Sequence, residues 1–151
     1  MLEKPDCLFC QIIKEQKNLI YQDKLTAAFL DIFPVEKAHI LVVPKKHSDT
    51  WLETDKADLI ATNVTAQKLA KKLLNIFPNK IQGFNIVINN GKIANQMVFH
   101  FHIHVIPKFN ANQGFEIIHK RNENEMKKLE MTRKILKENL NERENEYEKK
   151  Y

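Results

Sequence analysis

The chain has 151 residues, 43% of them hydrophobic, which is enough apolar material for one substantial core but short for two independent ones. Its formal charge of +5 suits anionic ligands such as nucleotides, yet from residue 120 to 151 ten Lys and Arg face eight Asp and Glu, so no basic segment marks a polymeric nucleic-acid interface. No stretch approaches the ~20 consecutive apolar residues of a membrane span, and Met1-Leu-Glu-Lys-Pro-Asp6 lacks the apolar core and cleavage site of a signal peptide, so a cytoplasmic protein is expected.

In chain order, residues 7–15 place Cys7, Leu8, Cys10, Ile12 and Ile13 among polar Gln11, Lys14 and Glu15, the pattern of a short opening helix. The two cysteines form Cys-Leu-Phe-Cys, too tight for a long-loop disulfide; metal binding, redox chemistry or a pair of buried thiols remain open. Residues 18–21 and 25–30 are apolar runs around Gln-Asp-Lys and predict a hairpin. His39-Ile-Leu-Val-Val43, between Pro34 and Pro44, predicts a buried central strand. Between Thr54 and Phe77, Ile60, Val64, Leu69, Leu73 and Phe77 recur mostly at four-residue steps and predict a long amphipathic helix, with Thr54 or Asp55 as cap and Pro78 as terminator. Residues 83–88 predict a further strand, 89–91 a turn, and 97–105 a strand with strict alternation. One amphipathic helix is predicted from about 122 to 140, and the last ten residues are expected to fray. Strands around one long helix, joined mostly by short connections, give an α+β class with a mainly antiparallel sheet, a short N-terminal helix and a C-terminal helical extension.

The stretch Val98-Phe-His-Phe-His-Ile-His-Val-Ile-Pro107 is the most informative. Along a strand the side chains alternate, so His100, His102 and His104 share one face at intervals of ~6–7 Å, and Phe99, Phe101, Ile103 and Val105 share the other. One such histidine is ordinarily a satisfied core residue. Three together bring imidazoles that titrate near neutrality to one surface, which calls for polar partners or for chemistry. Adjacent pairs have the spacing to share a metal ion; the outer pair, ~13 Å apart, does not. Neutral imidazole is also a nucleophile near pH 7, and attack on phosphorus divides one displacement into two through a phospho-imidazole, with flanking rings holding charge and protonating the leaving group. Upstream, Asn89-Asn-Gly-Lys-Ile-Ala-Asn-Gln96 is rich in amide donors, although alone it reads as an ordinary loop.

Asn89-x-Gly91, followed by Gln96-x-Val98-x-His100-x-His102-x-His104, resembles the signature of the histidine-triad (HIT) family, and Leu30-Asp-Ile32, His39 to Val43 and Pro44-Lys-Lys-His47 resemble its upstream half. The resemblance spans about residues 7–107 and is strongest to the bacterial, Hint-like branch. It implies a HIT domain over residues 1–118 with an extension over 119–151. It further implies a purine nucleotide substrate, His102 as the nucleophile that takes up a nucleotidyl group, and His104 against the phosphate. Asn89, Asn95 and Gln96 are expected to donate to phosphate oxygens, Asp31 to bind the ribose hydroxyls, and Ile32 to belong to the substrate-binding set. Phe9, Ile12, Phe29 and Leu41 fall where the family builds its base pocket. Two departures bear on the leaving group. Asn95 stands where the family usually has glycine, demanding a left-handed Asn for close approach, and Met97 stands where it often has serine.

Some members of the family pair an N-terminal Cys-x-x-Cys with two histidines, so the resemblance implies a structural Zn²⁺ at Cys7, Cys10, His47 and His100. A closed four-ligand site leaves no position for a reacting water. The implied activity is hydrolysis of purine nucleoside phosphoramidates or adenylylated compounds; dinucleoside-polyphosphate hydrolysis and a nucleotide-binding adaptor with vestigial catalysis are the alternatives. A homodimer is implied as well, with no organic cofactor. His39 is expected to hydrogen-bond within the core toward the triad, and His119 to be exposed.

Overall fold

Cys7 opens helix α1 (Leu8–Glu15), its thiol accepting from the Cys10 amide at 3.5 Å and so partnering one of the N–H groups that the first turn leaves orphaned. Strands β1 (Leu19–Gln22) and β2 (Thr26–Leu30) pair antiparallel. Asp23 holds their turn by accepting from Leu25 N, Thr26 N and the Thr26 hydroxyl. Strand β3 (Ile40–Pro44) follows, then helix α2 (Lys56–Ile76), whose cap Asp55 accepts from the Asp58 amide. Strands β4 (Gly83–Val87) and β5 (Ile103–Lys108) complete a five-stranded antiparallel sheet of order β1-β2-β3-β5-β4. The computed structural model describes residues 4–141, Asn141 through its backbone alone, so the expected fraying of the last ten residues lies outside the described residues.

Strand alternation sorts the sheet into two faces. Ala28, Ile40, Val42, Ile103 and Val105 pack with Phe101 against Ala66, Leu69 and Leu73 of α2. Ala27, Phe29, Leu41 and Val43 pack against Cys7, Phe9 and Cys10 at the start of α1. His104, paired across to Leu41, shares this second face.

Four sequence expectations are corrected. Strand β5 begins only at Ile103, because the Phe101 amide bonds Ser48 O at 2.8 Å instead of β3; His100 and His102 sit in the extended approach. Phe99 is therefore exposed and does not join Phe101 in the core. On α2, Ile60 and Val64 are 53% and 58% exposed, and the buried line runs Asp58, Thr62, Thr65, Ala66, Leu69, Leu73. Its polar members are satisfied: the hydroxyls of Thr26 and Thr65 bond at 2.9 Å, and Thr62 donates to Asp58 O. The C-terminal helix is two pieces, α3 (Glu123–Met126), capped by Asn122, and α4 (Leu129–Asn141), because Lys128 N tightens onto Glu125 O three residues back.

The fold divides into two compact units between Glu116 and Ile117, the second holding α3 and α4. No helix among the described residues is long and apolar enough to cross a membrane.

Candidate active site and metal centre

A cleft of about 390 Å³ opens on the α1 side of the sheet. Leu8, Phe9 and Ile12 of α1, Phe29 and Leu30 of β2, and Leu41 of β3 give it an apolar wall; Asp31, Asn89, Asn95, His102 and His104 supply polar groups, as does Asn18. An apolar slot with a few convergent polar groups is the form small-molecule sites take. Phe9 meets Phe29 and His102 edge-on, each at 5.1 Å between ring centroids. The sequence-predicted residues Phe9, Ile12, Phe29, Asp31, Ile32, Leu41, Asn89, Asn95, His102 and His104 thus meet in one place.

His102 is buried, and its Nδ1–H donates to the carbonyl of His100 at 2.7 Å. That bond assigns the ring proton and leaves Nε2 as a bare lone pair in a residue that lines the cleft. Burial lowers its pKa, against the pull of the His100 carbonyl and Asp31, so the ring stays neutral near pH 7. His104 stands 5.0 Å from it, centroid to centroid, with Nδ1 at 2.9 Å from Nε2 of the buried His39. Burial, then the neighbouring His102 and His39, pushes the His104 pKa down to about 4. Asp31 accepts from Phe33 N through Oδ1, while Oδ2 lies 3.6 Å from His39 and 3.9 Å from His104.

The loop before the triad is shaped from within. Gly91 at φ 95° starts a single 3₁₀ turn (Lys92–Ala94), and Asn95 closes it in the left-handed conformation at φ 67°, as close approach demanded of a non-glycine residue there. The expectation that Gln96 donates to phosphate is corrected: its side chain is buried, accepts from Gly91 N, and donates to Asp49 O and Val98 O. Gln96 builds the loop, and Asn89 and Asn95 are the amides left on the cleft wall. Met97 lies 84% exposed at the rim.

Behind Phe9, one ligand atom from each of Cys7, Cys10, His47 and His100 lies within 4.8 Å of the others. Nδ1 of His100 stands 3.5 Å from Cys7 Sγ and 3.6 Å from Cys10 Sγ, and Nδ1 of His47 stands 3.4 Å from Cys10 Sγ and 3.2 Å from Nδ1 of His100. Bonds of ~2.05 Å from nitrogen and ~2.3 Å from sulfur around a tetrahedral ion place such donors ~3.3 to 3.6 Å apart, so the residues fit a zinc-type centre. The second nitrogens agree: His100 Nε2–H donates to Pro44 O at 2.8 Å and His47 Nε2–H to Asp49 at 2.7 Å. Two lone pairs therefore face each other across 3.2 Å, an arrangement that a cation relieves. The His47 hydrogen bond, with Lys4 behind it, holds the Asp49 carboxyl below its ordinary range. Asp49 was missed from the sequence, although a carboxylate two residues after a candidate ligand is a readable signal.

A model of the HIT domain matches residues 14–111. The adenosine 5'-monophosphoramidase HNT1 of Candida albicans is 32% identical over 97% of this chain and 99% of its own. The crystal structure of a histidine triad nucleotide-binding protein from Candida albicans superposes with a TM-score of 0.78 and 33% identity, covering 91% of this chain and 99% of that one. That of a Zn-bound histidine triad family protein from Mycobacterium smegmatis gives 0.67 and 33%, covering 78% and 86%.

Proposed function

Because this chain belongs to the HIT family, we propose that it is a nucleotide hydrolase that cleaves purine nucleoside phosphoramidates or adenylylated compounds and releases a nucleoside monophosphate. The observation that carries the reading is His102: a neutral ring, its Nδ1–H held by a carbonyl, its Nε2 left for the cleft between an apolar slot and a set of polar groups.

In the first step Nε2 forms a bond to phosphorus, the bond from phosphorus to the leaving nitrogen breaks, and that amine leaves with a proton taken from the site. The phosphorylated ring carries a positive charge that the Nδ1–H bond to His100 O stabilises. Water then attacks phosphorus and gives a proton back to the site, replacing the one the amine took, the bond from phosphorus to Nε2 breaks, the ring departs neutral, and the monophosphate is released. Asp31 accepts from the ribose hydroxyls, Phe9, Phe29 and Leu41 enclose the base, and Asn89 and Asn95 donate to the phosphate. The adenosine 5'-monophosphoramidase relative supports this substrate class.

His102→Ala is expected to lower AMP release from a fluorogenic adenosine phosphoramidate by at least about three orders of magnitude while leaving nucleotide binding within about threefold. Retained turnover sinks the nucleophile. Preference for a diadenosine polyphosphate transfers the reading to that substrate class, and binding without turnover in the wild type makes the protein an adaptor.

The same proposal places a structural Zn²⁺ on Cys7, Cys10, His47 and His100, where it would tie α1 to the segment that carries His102. A reducing compartment such as the cytoplasm keeps those thiols available to a metal. It also includes a homodimer. Val64 of α2 and Ile86 of the edge strand β4 line one hollow with Phe84, and both are more than half exposed, the form of a face that a second copy covers.

A further inference from the structure

The floor of the cleft is a row of side chains laid across the strands. His104 pairs with Leu41, Leu41 with Phe29, and Phe29 with Leu19 on the α1 side of the sheet. Neighbouring strands lie ~4.8 Å apart, so the row runs ~14 Å from the triad to the start of β1. Asn18, the residue just before β1, lines the cleft at that far end. Resting on the reading of the cleft as a nucleotide site, we infer that Asn18 reads the edge of the base and selects a 6-aminopurine, its amide oxygen accepting from the exocyclic amino group and its NH2 donating to the ring nitrogen alongside.

The backbone brings this amide to the cleft. Leu19 already packs on the α1 side with Phe29 and Leu41, so in a continuous strand the residue before it would face away. Asn18 is left-handed instead, at φ 62°, and the break in the extended chain sets both neighbours toward the same side; asparagine enters that region at less cost than most other side chains. The polar groups of the cleft are otherwise gathered at the triad end: Oδ2 of Asp31 is 3.9 Å from His104, and Asn89 follows β4, whose Val87 pairs with His104. The interval between holds Leu41 and Phe29, with Phe9 edge-on to the latter at 5.1 Å between centroids. A flat apolar ring fits there, and its outer edge meets an amide.

Among the described residues the Asn18 side chain has no hydrogen-bond partner, so its donor and its acceptor are both open to a ligand. Held side by side, they match adenine on either edge, because an acceptor nitrogen, N7 or N1, flanks the 6-amino group on each side. The pairing therefore does not depend on which edge the slot turns outward. Guanine offers a donor and an acceptor together only on its N1 side, and a pyrimidine, one ring shorter, stops short of the amide. A purine with no group at position 6 leaves the amide oxygen without a donor, the kind of loss by which a polar site rejects an analogue. Asp31 and the triad meet ribose and phosphate, which all these nucleotides share, so they do not choose among bases.

Calorimetric titration of the full-length, zinc-loaded protein with AMP and with purine riboside 5'-monophosphate, the same nucleotide lacking the 6-amino group, tests this. The wild type is expected to bind AMP about tenfold more tightly, the worth of two hydrogen bonds shared with water. Asn18→Gly removes the amide and tolerates the positive φ, so it is expected to keep the thermal midpoint and to bind the two nucleotides within about twofold of each other. A wild type that binds both equally, or a preference that survives in Asn18→Gly, overturns the inference and leaves the nucleotide site standing; in that case the asparagine serves the turn alone. The matching phosphoramidates are expected to show the same ratio in kcat/KM. Selective binding of AMP with no turnover sinks the proposed reaction and upholds the base assignment, and failure to bind either nucleotide sinks both.

Discussion

The side chain of Gln96 makes three hydrogen bonds while almost wholly buried, one to each of three backbone positions that the phosphate-side loop must keep together: Gly91, Asp49 and Val98. Truncation strands two partly buried carbonyls and one amide, so Gln96→Ala is expected to cost about 2 kcal/mol in urea denaturation, with activity falling as the loop loosens. The sequence marked Gln96 as part of a motif but not its task, because an amide that could reach a ligand and one that braces a loop look the same until partners are in place. Asn95 was more legible: the resemblance implies a position usually held by glycine, where an asparagine has to turn left-handed, and its φ is 67°. Titration at this scale has a definite sign. The folded-state pKa of His104 lies at about 4, below its ordinary 6.5, and that of His39 is lowered too, so the fold favours their neutral rings. Their contribution is complete above pH 6.5 and is lost as pH falls from there toward 4, where protonation opposes folding by up to about 3 kcal/mol for His104. Denaturation midpoints taken from pH 7 down to pH 5 should decline, and His104→Gln should flatten the decline.

Helix α1 serves both centres at once. Cys7 and Cys10 flank Phe9, so the turn that delivers two thiols to the metal site also sets the ring that packs against His102. Chelation is therefore expected to lower the thermal midpoint and weaken nucleotide binding together, and Cys10→Ser to lose bound zinc by elemental analysis with a partial loss of activity; chelation that abolished turnover without changing stability would instead make the metal catalytic. The elements whose apolar period was clean, namely α1, the β1–β2 hairpin and β3, stand where their sequences put them. Two others misled for nameable reasons. The inner face of α2 is built from Thr62 and Thr65, whose hydroxyls find partners, so counting apolar residues selected Ile60 and Val64 on the wrong side. The triad strand starts late because Ser48, distant in sequence, takes the Phe101 amide.

At the scale of the molecule, the misplaced Ile60 and Val64 are informative in their own right. Both are more than half exposed, and Val64 lines, with Phe84 and Ile86 of the edge strand, the hollow that the proposed second copy covers. Val64→Asp is expected to halve the mass seen by light scattering at micromolar concentration while leaving the circular dichroism unchanged; an unaltered mass would place any dimer contact elsewhere. The sheet between α1 and α2 carries one more consequence. Its two sides are assigned by parity: odd positions 101, 103 and 105 belong to the α2 core, and even position 104 to the cleft. Deleting a single residue from the approach at 98–102 would transpose oil and imidazole along whatever part of β5 then slid in register, spoiling core and reaction in one stroke, whereas removing a pair would at least preserve the alternation. The length of that short approach is thus constrained as tightly as its composition, and by counting alone.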